Sequence, residues 1–104
     1  MKRGEVWWAA LPPPVGSRPV VILTRDAVLH SIEGVVVALV TRTVRGLATE
    51  VTLGKKRGLP PRSVANLDNI LTVPRARLVR LMGACDSAKL DELAKAVKAS
   101  FDIG

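Results

Sequence analysis

Short apolar runs separated by polar breaks fill most of this chain. Residues 19–24 and 35–41 are rich in β-branched side chains and contain few polar ones, which predicts two buried strands. Residues 5–11 alternate loosely and include both tryptophans, so a further strand is expected there. Residues 47–53 alternate weakly and are interpreted as an edge strand.

Turn-forming residues mark the breaks between these runs. Proline and glycine make residues 12–16 a loop, and the string GKKRGLPP makes residues 54–61 another. The polar residues 25–34 have room for a short helical turn. Further along come two short predicted strands and another apolar stretch: residues 63–67, 70–73 and 78–84.

The end of the chain predicts a helix. Asp86 or Ser87 can cap its start, because a short polar side chain accepts hydrogen bonds from the first free backbone amides. Apolar residues then recur at helical spacing and are expected to face the core, while charged residues cover the other face. The apolar stripe is Leu90, Leu93, Ala94, Val97 and Phe101, and the charged face is Lys89, Asp91, Glu92, Lys95 and Lys98. Several short strands followed by one helix favour a small curled antiparallel sheet or half-barrel.

Length and composition limit the class of protein. The 104 residues make one domain, residues 1–104. The longest apolar run, residues 35–40, is far shorter than the roughly 20 residues that a membrane-spanning helix needs. No signal-peptide hydrophobic region follows the basic N-terminal pair, and a lone cysteine, Cys85, cannot form an internal disulfide. A cytoplasmic protein is therefore expected, with Cys85 buried in a packing role.

Positive charge is concentrated in the centre of the chain. The net charge is +7, and residues 51–85 supply +6 of it, with seven Lys and Arg against one Asp. Such a concentration is typical of a protein that binds a polyanion. A solvated basic surface that keeps the protein soluble is the alternative.

Few residue types are available for chemistry. With one histidine and one cysteine, neither a His/Cys metal site nor a two-histidine ribonuclease mechanism can be built within one chain. His30 is interpreted as an exposed turn residue. The glycine motifs that bind ATP or dinucleotides are absent, so no cofactor is expected.

Arg18 and Thr41 stand at the edges of the two predicted buried strands. A guanidinium is a planar, permanently charged fork that matches phosphate oxygens, and a hydroxyl can add a further hydrogen bond. Pro19 biases the backbone of Arg18 towards an extended conformation, which helps to hold it in place. A surface arginine and an ordinary strand threonine are the alternatives.

The two tryptophans are neighbours on a predicted strand. Adjacent strand residues face opposite sides, so one of Trp7 and Trp8 is expected in the core, and the other is free to stack on a base.

Several strings together resemble the MazF/PemK/Kid-type toxins. They are RGEVWWAAL, RPVVIL, VTRTVRG, the block LPPRSVANLDNILTVPRARL and a glycine before the Asp-capped helix, and the resemblance spans residues 3–103. It implies a mainly β protein, a compact SH3-like antiparallel β-barrel with a C-terminal α-helix. It also implies a homodimeric toxin that is neutralised by a MazE-like antitoxin.

The activity that the resemblance implies is sequence-specific, metal-independent cleavage of single-stranded RNA, which leaves 2′,3′-cyclic phosphate and 5′-hydroxyl ends. Messenger, transfer and ribosomal RNA are all open as targets. Arg18 and Thr41 match the family's catalytic arginine and threonine, and Asp68 matches an acidic position that some members use for catalysis or base contact. The resemblance implies RNA-binding roles for Ser17 and Asn69, and RNA binding is also expected of Arg42, Arg62 and Trp8.

The chain departs from the family pattern just before Arg18, where relatives usually have several more residues. This shorter loop puts the recognised RNA motif in question. Two other functions stay open. A toxin that poisons gyrase uses the same barrel and would need an exposed apolar patch on the C-terminal helix, whereas a small basic domain of ribosomal type would bind RNA without cutting it.

Overall fold

The computed structural model describes residues 1–54 and 58–104. Its strands are β1 (Glu5–Ala9), β2 (Arg18–Ile22), β3 (Gly34–Thr41), β4 (Glu50–Thr52), β5 (Val64–Pro74) and β6 (Leu78–Ala84), and its helices are α1 (Asp26–Leu29) and α2 (Ser87–Ser100). The strands form one antiparallel sheet in the order β4-β5-β3-β2-β1-β6. The predicted mainly β fold with a C-terminal helix is therefore confirmed.

Between their polar ends, the central strands β2 and β3 carry apolar residues because each contributes to a core on both faces of the sheet. In β2, Val21 packs in one core with α2, while Val20 and Ile22 pack in the other. In β3, Ala38 belongs to the first core and Val37 to the second. A strand that is covered on both sides must carry apolar residues at successive positions, which is the pattern the sequence shows.

Helix α2 begins where the capping residues predict. The Asp86 side chain accepts a hydrogen bond from the Lys89 backbone N–H at 2.9 Å. Leu93 is buried as expected, but the other fully buried helix residue is Ala96, and the predicted stripe does not extend to Phe101, which is 61% exposed. Phe101 lies just beyond the last residue of α2, so it does not continue the buried face of the helix.

The two short strands predicted around Asp68 are in fact one strand, β5. Ala38 pairs with Ile70, but the next residue of β3, Leu39, pairs with Asn66. Residues 67–69 are therefore extra on β5 and form a bulge. Such an insertion bends a strand without ending it, and this explains why the polar Asp68 resembles a turn in the sequence.

The remaining sequence predictions concern shorter segments. The weak pattern at residues 47–53 forms β4, which lies at one edge of the sheet as expected. His30 is exposed at the end of α1, and Cys85 is half-buried against the core that α2 covers. The loop predicted at residues 54–61 falls partly on residues 55–57, which lie outside the described part of the chain. Within the described part, no helix is long and apolar enough to span a membrane.

Candidate functional site

Arg18 and Thr41 meet at the same end of the sheet. Val20 pairs with Leu39 in the antiparallel register of β2 and β3, so the pairing continued by two residues brings Arg18 opposite Thr41. The Arg18 guanidinium also donates a hydrogen bond from Nη2 to the carbonyl oxygen of Val40 at 2.8 Å. The expectation that these two residues lie together is confirmed.

Both side chains keep hydrogen-bonding capacity for a ligand. The Arg18 Nε–H is buried and has no acceptor among the described residues. Thr41 Oγ1 accepts a hydrogen bond from the Thr43 backbone N–H at 3.1 Å, and a hydroxyl that accepts in this way can still donate its own hydrogen. A buried atom is out of reach of an entering anion, so Arg18 can bind one only through the part of its guanidinium that lines the surface.

Two hollows in the surface share Arg18 and Thr41. The larger, called here the apolar hollow, has a volume of about 520 Å³ and is also lined by Trp8, Val15, Ser17, Pro19, Val40, Arg42, Pro60, Ser63 and Met82. The smaller, called the polar hollow, has a volume of about 190 Å³ and is also lined by Leu39, Thr43, Arg45, Asn66 and Asn69. The guanidinium and hydroxyl thus lie where an apolar surface meets a polar one.

The structure distinguishes the two tryptophans. Trp8 lines the apolar hollow, and the Arg80 guanidinium lies over its ring, 5.9 Å from the centroid, in a cation–π contact. Trp7 packs against the second core and donates from Nε1 to Glu5 Oε1 at 3.1 Å. Trp8 is therefore the residue that is open to a stacking partner.

The predicted RNA-binding residues other than Arg62 each line one of the two hollows. Ser17 and Arg42 line the apolar hollow, and Asn69 lines the polar one. Arg62 is exposed and lies in the sequence between Pro60 and Ser63, which both line the apolar hollow.

Asp68 lies apart from Arg18. One of its carboxylate oxygens accepts a hydrogen bond from Thr49 Oγ1 at 2.6 Å, and the other accepts one from Ser100 Oγ at 3.0 Å. Ser100 Oγ also lies 2.7 Å from the Leu67 carbonyl oxygen. These contacts tie the bulge of β5 to the end of α2, and Asp68 does not line either hollow. Its predicted catalytic role stays a prediction.

Some of the basic residues in the central part of the sequence stabilise the fold through hydrogen bonds to backbone carbonyl oxygens. The Arg75 guanidinium donates to the carbonyl oxygens of Leu29, the last residue of α1, and Ile32. Arg77 donates to the carbonyl oxygen of Ala10 at 3.4 Å. The charge in residues 51–85 is therefore not all available to a polyanion.

Three polar residues of the polar hollow were not predicted from the sequence: Thr43, Arg45 and Asn66. Asn66 is 9% exposed, and its Oδ1 accepts a hydrogen bond from the Asp68 backbone N–H at 2.9 Å. An asparagine inside an apolar strand pattern was the available signal, because such a residue often marks a bulge or turn. Among the described residues, no group of three or more His, Cys, Asp or Glu could hold a metal ion.

The fold and the site together define a class: a small basic domain that brings an arginine and a threonine together at one end of an antiparallel sheet. The chain matches the PemK-like, MazF-like toxins of type II toxin–antitoxin systems over residues 2–101 and belongs to that family. The resemblance inferred from the sequence is therefore confirmed.

Individual relatives match along almost their whole length. The chain is 44% identical over 101 residues to the probable endoribonuclease MazF2 of Mycobacterium tuberculosis, covering 96% of this chain and 97% of that protein. The solved structure of the Mycobacterium tuberculosis toxin MazF-mt6 superposes with a TM-score of 0.89 at 39% identity, covering 96% of this chain and 98% of the other. An endoribonuclease in complex with its cognate antitoxin, from a mycobacterial species, shares the fold with a TM-score of 0.87 at 24% identity, covering 100% and 97%.

Proposed function

We propose that this chain is a sequence-specific endoribonuclease toxin that cleaves single-stranded RNA. The observation that carries the proposal is the placement of Arg18. Its guanidinium is bonded to β3, and it lines both hollows together with Thr41. Relatives that match nearly the whole chain are named endoribonucleases.

The reaction that suits this site needs no metal. The ribose 2′-hydroxyl oxygen attacks the adjacent phosphorus, the bond from phosphorus to the 5′-oxygen breaks, and the products carry a 2′,3′-cyclic phosphate and a 5′-hydroxyl. One proton leaves the 2′-hydroxyl, and one is delivered to the departing 5′-oxygen. Negative charge builds on the non-bridging phosphate oxygens, where fixed donors lower the barrier most.

Arg18 and Thr41 are the donors assigned to this phosphate. An arginine side chain stays protonated in proteins, so Arg18 acts chiefly by charge and hydrogen bonding rather than as a base. The Thr41 hydroxyl donates a further hydrogen bond. Asp68 is assigned to the bulge, because both of its oxygens are already engaged by hydroxyl groups.

The two hollows favour single-stranded RNA over base-paired RNA as the substrate. A base must leave its stack to lie on Trp8, and unpaired RNA allows this at low cost. Ser17, Arg42 and Arg62 are assigned to the backbone phosphates, and Asn69 is assigned to the edge of a base. In support, Ser17 and Arg42 line the apolar hollow, and Asn69 lines the polar hollow. The shorter loop before Arg18 leaves the recognised motif to experiment.

We further propose a homodimer in the cytoplasm that is neutralised by a MazE-like antitoxin. Exposed apolar side chains supply area for such contacts: Val79 and Leu81 on the edge strand β6, and Phe101 and Ile103 after α2. An antitoxin segment that lies across the hollows would exclude RNA from Arg18.

A second candidate is a toxin of the gyrase-poisoning kind. It is favoured by one observation, the exposure of Phe101 and Ile103 at 61% and 58% just after α2. That function makes no use of Arg18, so the same arginine variant distinguishes the two.

The test is incubation of the purified chain with a long structured RNA in EDTA, with primer extension to map the ends. Discrete cuts that share a short motif are expected from the wild type, and Arg18→Ala should abolish them. The matched control is Arg25→Ala, which removes the same charge from an exposed residue beyond the far end of β2. An Arg18→Ala protein that cuts at the wild-type rate contradicts the mechanism, as does activity that EDTA removes and magnesium restores.

A further inference from the structure

A carboxylate outside the hollows binds the loop that completes them. Glu50 Oε1 accepts hydrogen bonds from the backbone N–H groups of Arg45, Gly46 and Leu47 at 3.0, 2.8 and 3.2 Å. Glu50 Oε2 accepts a second contact from the Arg45 N–H at 3.1 Å. Consecutive amides that converge on one anion form a nest, and the positive φ of Gly46, 72°, provides the backbone turn that the nest needs.

This loop carries three residues of the candidate site. Arg42 lines the apolar hollow, and Thr43 and Arg45 line the polar hollow. The loop is attached at its start by the hydrogen bond from the Thr43 N–H to Thr41, and at its end by Glu50. The shape of both hollows therefore depends on these two attachments.

Little apolar burial holds the loop in place. Val44 and Leu47 are 45% and 50% exposed, and the whole stretch from Arg42 to Ala48 is exposed. A segment with few buried contacts opens easily unless hydrogen bonds stabilise it. The two arginines of the loop carry like charges, and the Glu50 carboxylate also offsets their repulsion.

We propose that Glu50 is a positioning residue for RNA binding: its carboxylate holds the loop so that Arg42, Thr43 and Arg45 face the substrate. This inference rests on the proposed function. The direction in which affinity changes on removal of Glu50 distinguishes this role from a purely electrostatic one. A negative charge near an RNA site, acting only through its field, weakens binding, so its removal should tighten the complex. If Glu50 positions the loop, its removal should weaken the complex instead.

The first readout is binding of a single-stranded DNA oligonucleotide of mixed sequence, which lacks the 2′-hydroxyl and cannot be cleaved by this chemistry. Glu50→Ala should raise the Kd about tenfold, equivalent to roughly 1.4 kcal/mol. Glu33→Ala is the control, because it removes the same charge from an exposed residue just before the other end of β3. It should leave the Kd unchanged or lower it.

Two further readouts separate positioning from general destabilisation. Hydrogen exchange at the Arg45, Gly46 and Leu47 amides should speed up in Glu50→Ala, while the amides of β2 and β3 keep their protection. In RNA cleavage, KM should rise and kcat should change less than about threefold, because Arg18 is bonded to Val40 independently of the loop. Glu50→Gln, which keeps one neutral acceptor, should fall between wild type and Glu50→Ala in each measurement, and it serves as the test variant if the alanine protein does not fold.

The outcomes separate this inference from the proposed function. Tighter or unchanged DNA binding by Glu50→Ala overturns the role of Glu50, as does equal weakening by Glu33→Ala. A wild-type protein that binds the oligonucleotide but never cuts RNA overturns the proposed function, and the binding and exchange data still decide the role of Glu50. If the wild type does not bind the oligonucleotide, the KM of RNA cleavage decides the role of Glu50: a KM in Glu50→Ala equal to that of the wild type overturns it. Absence of RNA cleavage by the wild type overturns the proposed function alone.

Discussion

Replacement of Thr41 by valine removes one hydroxyl from the site and keeps a β-branched side chain of similar volume at the end of β3. The Thr41 oxygen accepts the Thr43 N–H at 3.1 Å, and its hydrogen is available to an incoming phosphate. Thr41→Val therefore deletes one contact within the protein and one proposed contact with the reacting group.

The two losses differ greatly in size. A donor aimed at charge that develops in the transition state is worth about 10²–10³ in kcat, or roughly 2.7–4 kcal/mol. An ordinary hydrogen bond contributes about 0.5–1.5 kcal/mol to stability, and the lower end applies because Thr43 is exposed and water can replace the lost acceptor. For a domain of this size, that smaller loss lowers the Tm by about 4 °C or less.

The assay is single-turnover cleavage of an end-labelled RNA at saturating protein, measured beside Thr41→Ser, which restores the hydroxyl. Thr41→Val should cut at least about a hundredfold more slowly than wild type, and Thr41→Ser should recover most of the rate. A Thr41→Val rate within about threefold of wild type would remove Thr41 from the chemistry.

Other consequences of the structure can be measured directly. Arg18→Lys keeps the charge but loses the planar guanidinium, which can donate to the Val40 carbonyl oxygen and to a phosphate at the same time, so kcat should fall by at least about tenfold. A kcat near that of the wild type would mean that charge alone suffices. Leu93→Ala should cost about 2–5 kcal/mol in urea unfolding, since Leu93 is 1% exposed beneath α2, and a loss below about 1 kcal/mol would contradict that packing. Asp86→Ala should cost about 1 kcal/mol through loss of the helix cap, whereas Asp86→Asn should cost far less. RNA binding should weaken linearly in log–log plots against salt, and Arg42→Ala should reduce the slope by about 0.7; an unchanged slope would place Arg42 away from phosphate.

The strands and the central pair of site residues were predictable because both depend on local sequence. A strand that is buried on both faces leaves a continuous apolar run, and β2 and β3 show it. Consecutive antiparallel strands bring the start of one beside the end of the next, so Arg18 and Thr41 had to meet.

The rest of the site depends on contacts between distant residues. The bulge that brings Asn66 and Asn69 to the polar hollow arises where β5 changes register against β3, and sequence periodicity shows only an interruption there. Glu50 looks like an unremarkable charge on an edge strand, because its role comes from the path of the preceding loop. Phe101 fits the helical stripe, but the stripe cannot show that α2 ends at Ser100.

The most direct test of the account uses an RNA oligonucleotide that spans one mapped cleavage site, in EDTA, with a single 2′-deoxy substitution on the nucleotide that would supply the attacking hydroxyl. If Arg18 and Thr41 assist attack by the ribose, no cut should form at that bond in the substituted strand. The product of the unsubstituted strand should carry a 2′,3′-cyclic phosphate, detected by mass spectrometry. Cleavage of the substituted strand at the same bond and rate would contradict this role, because Arg18 and Thr41 would then not be assisting attack by the ribose.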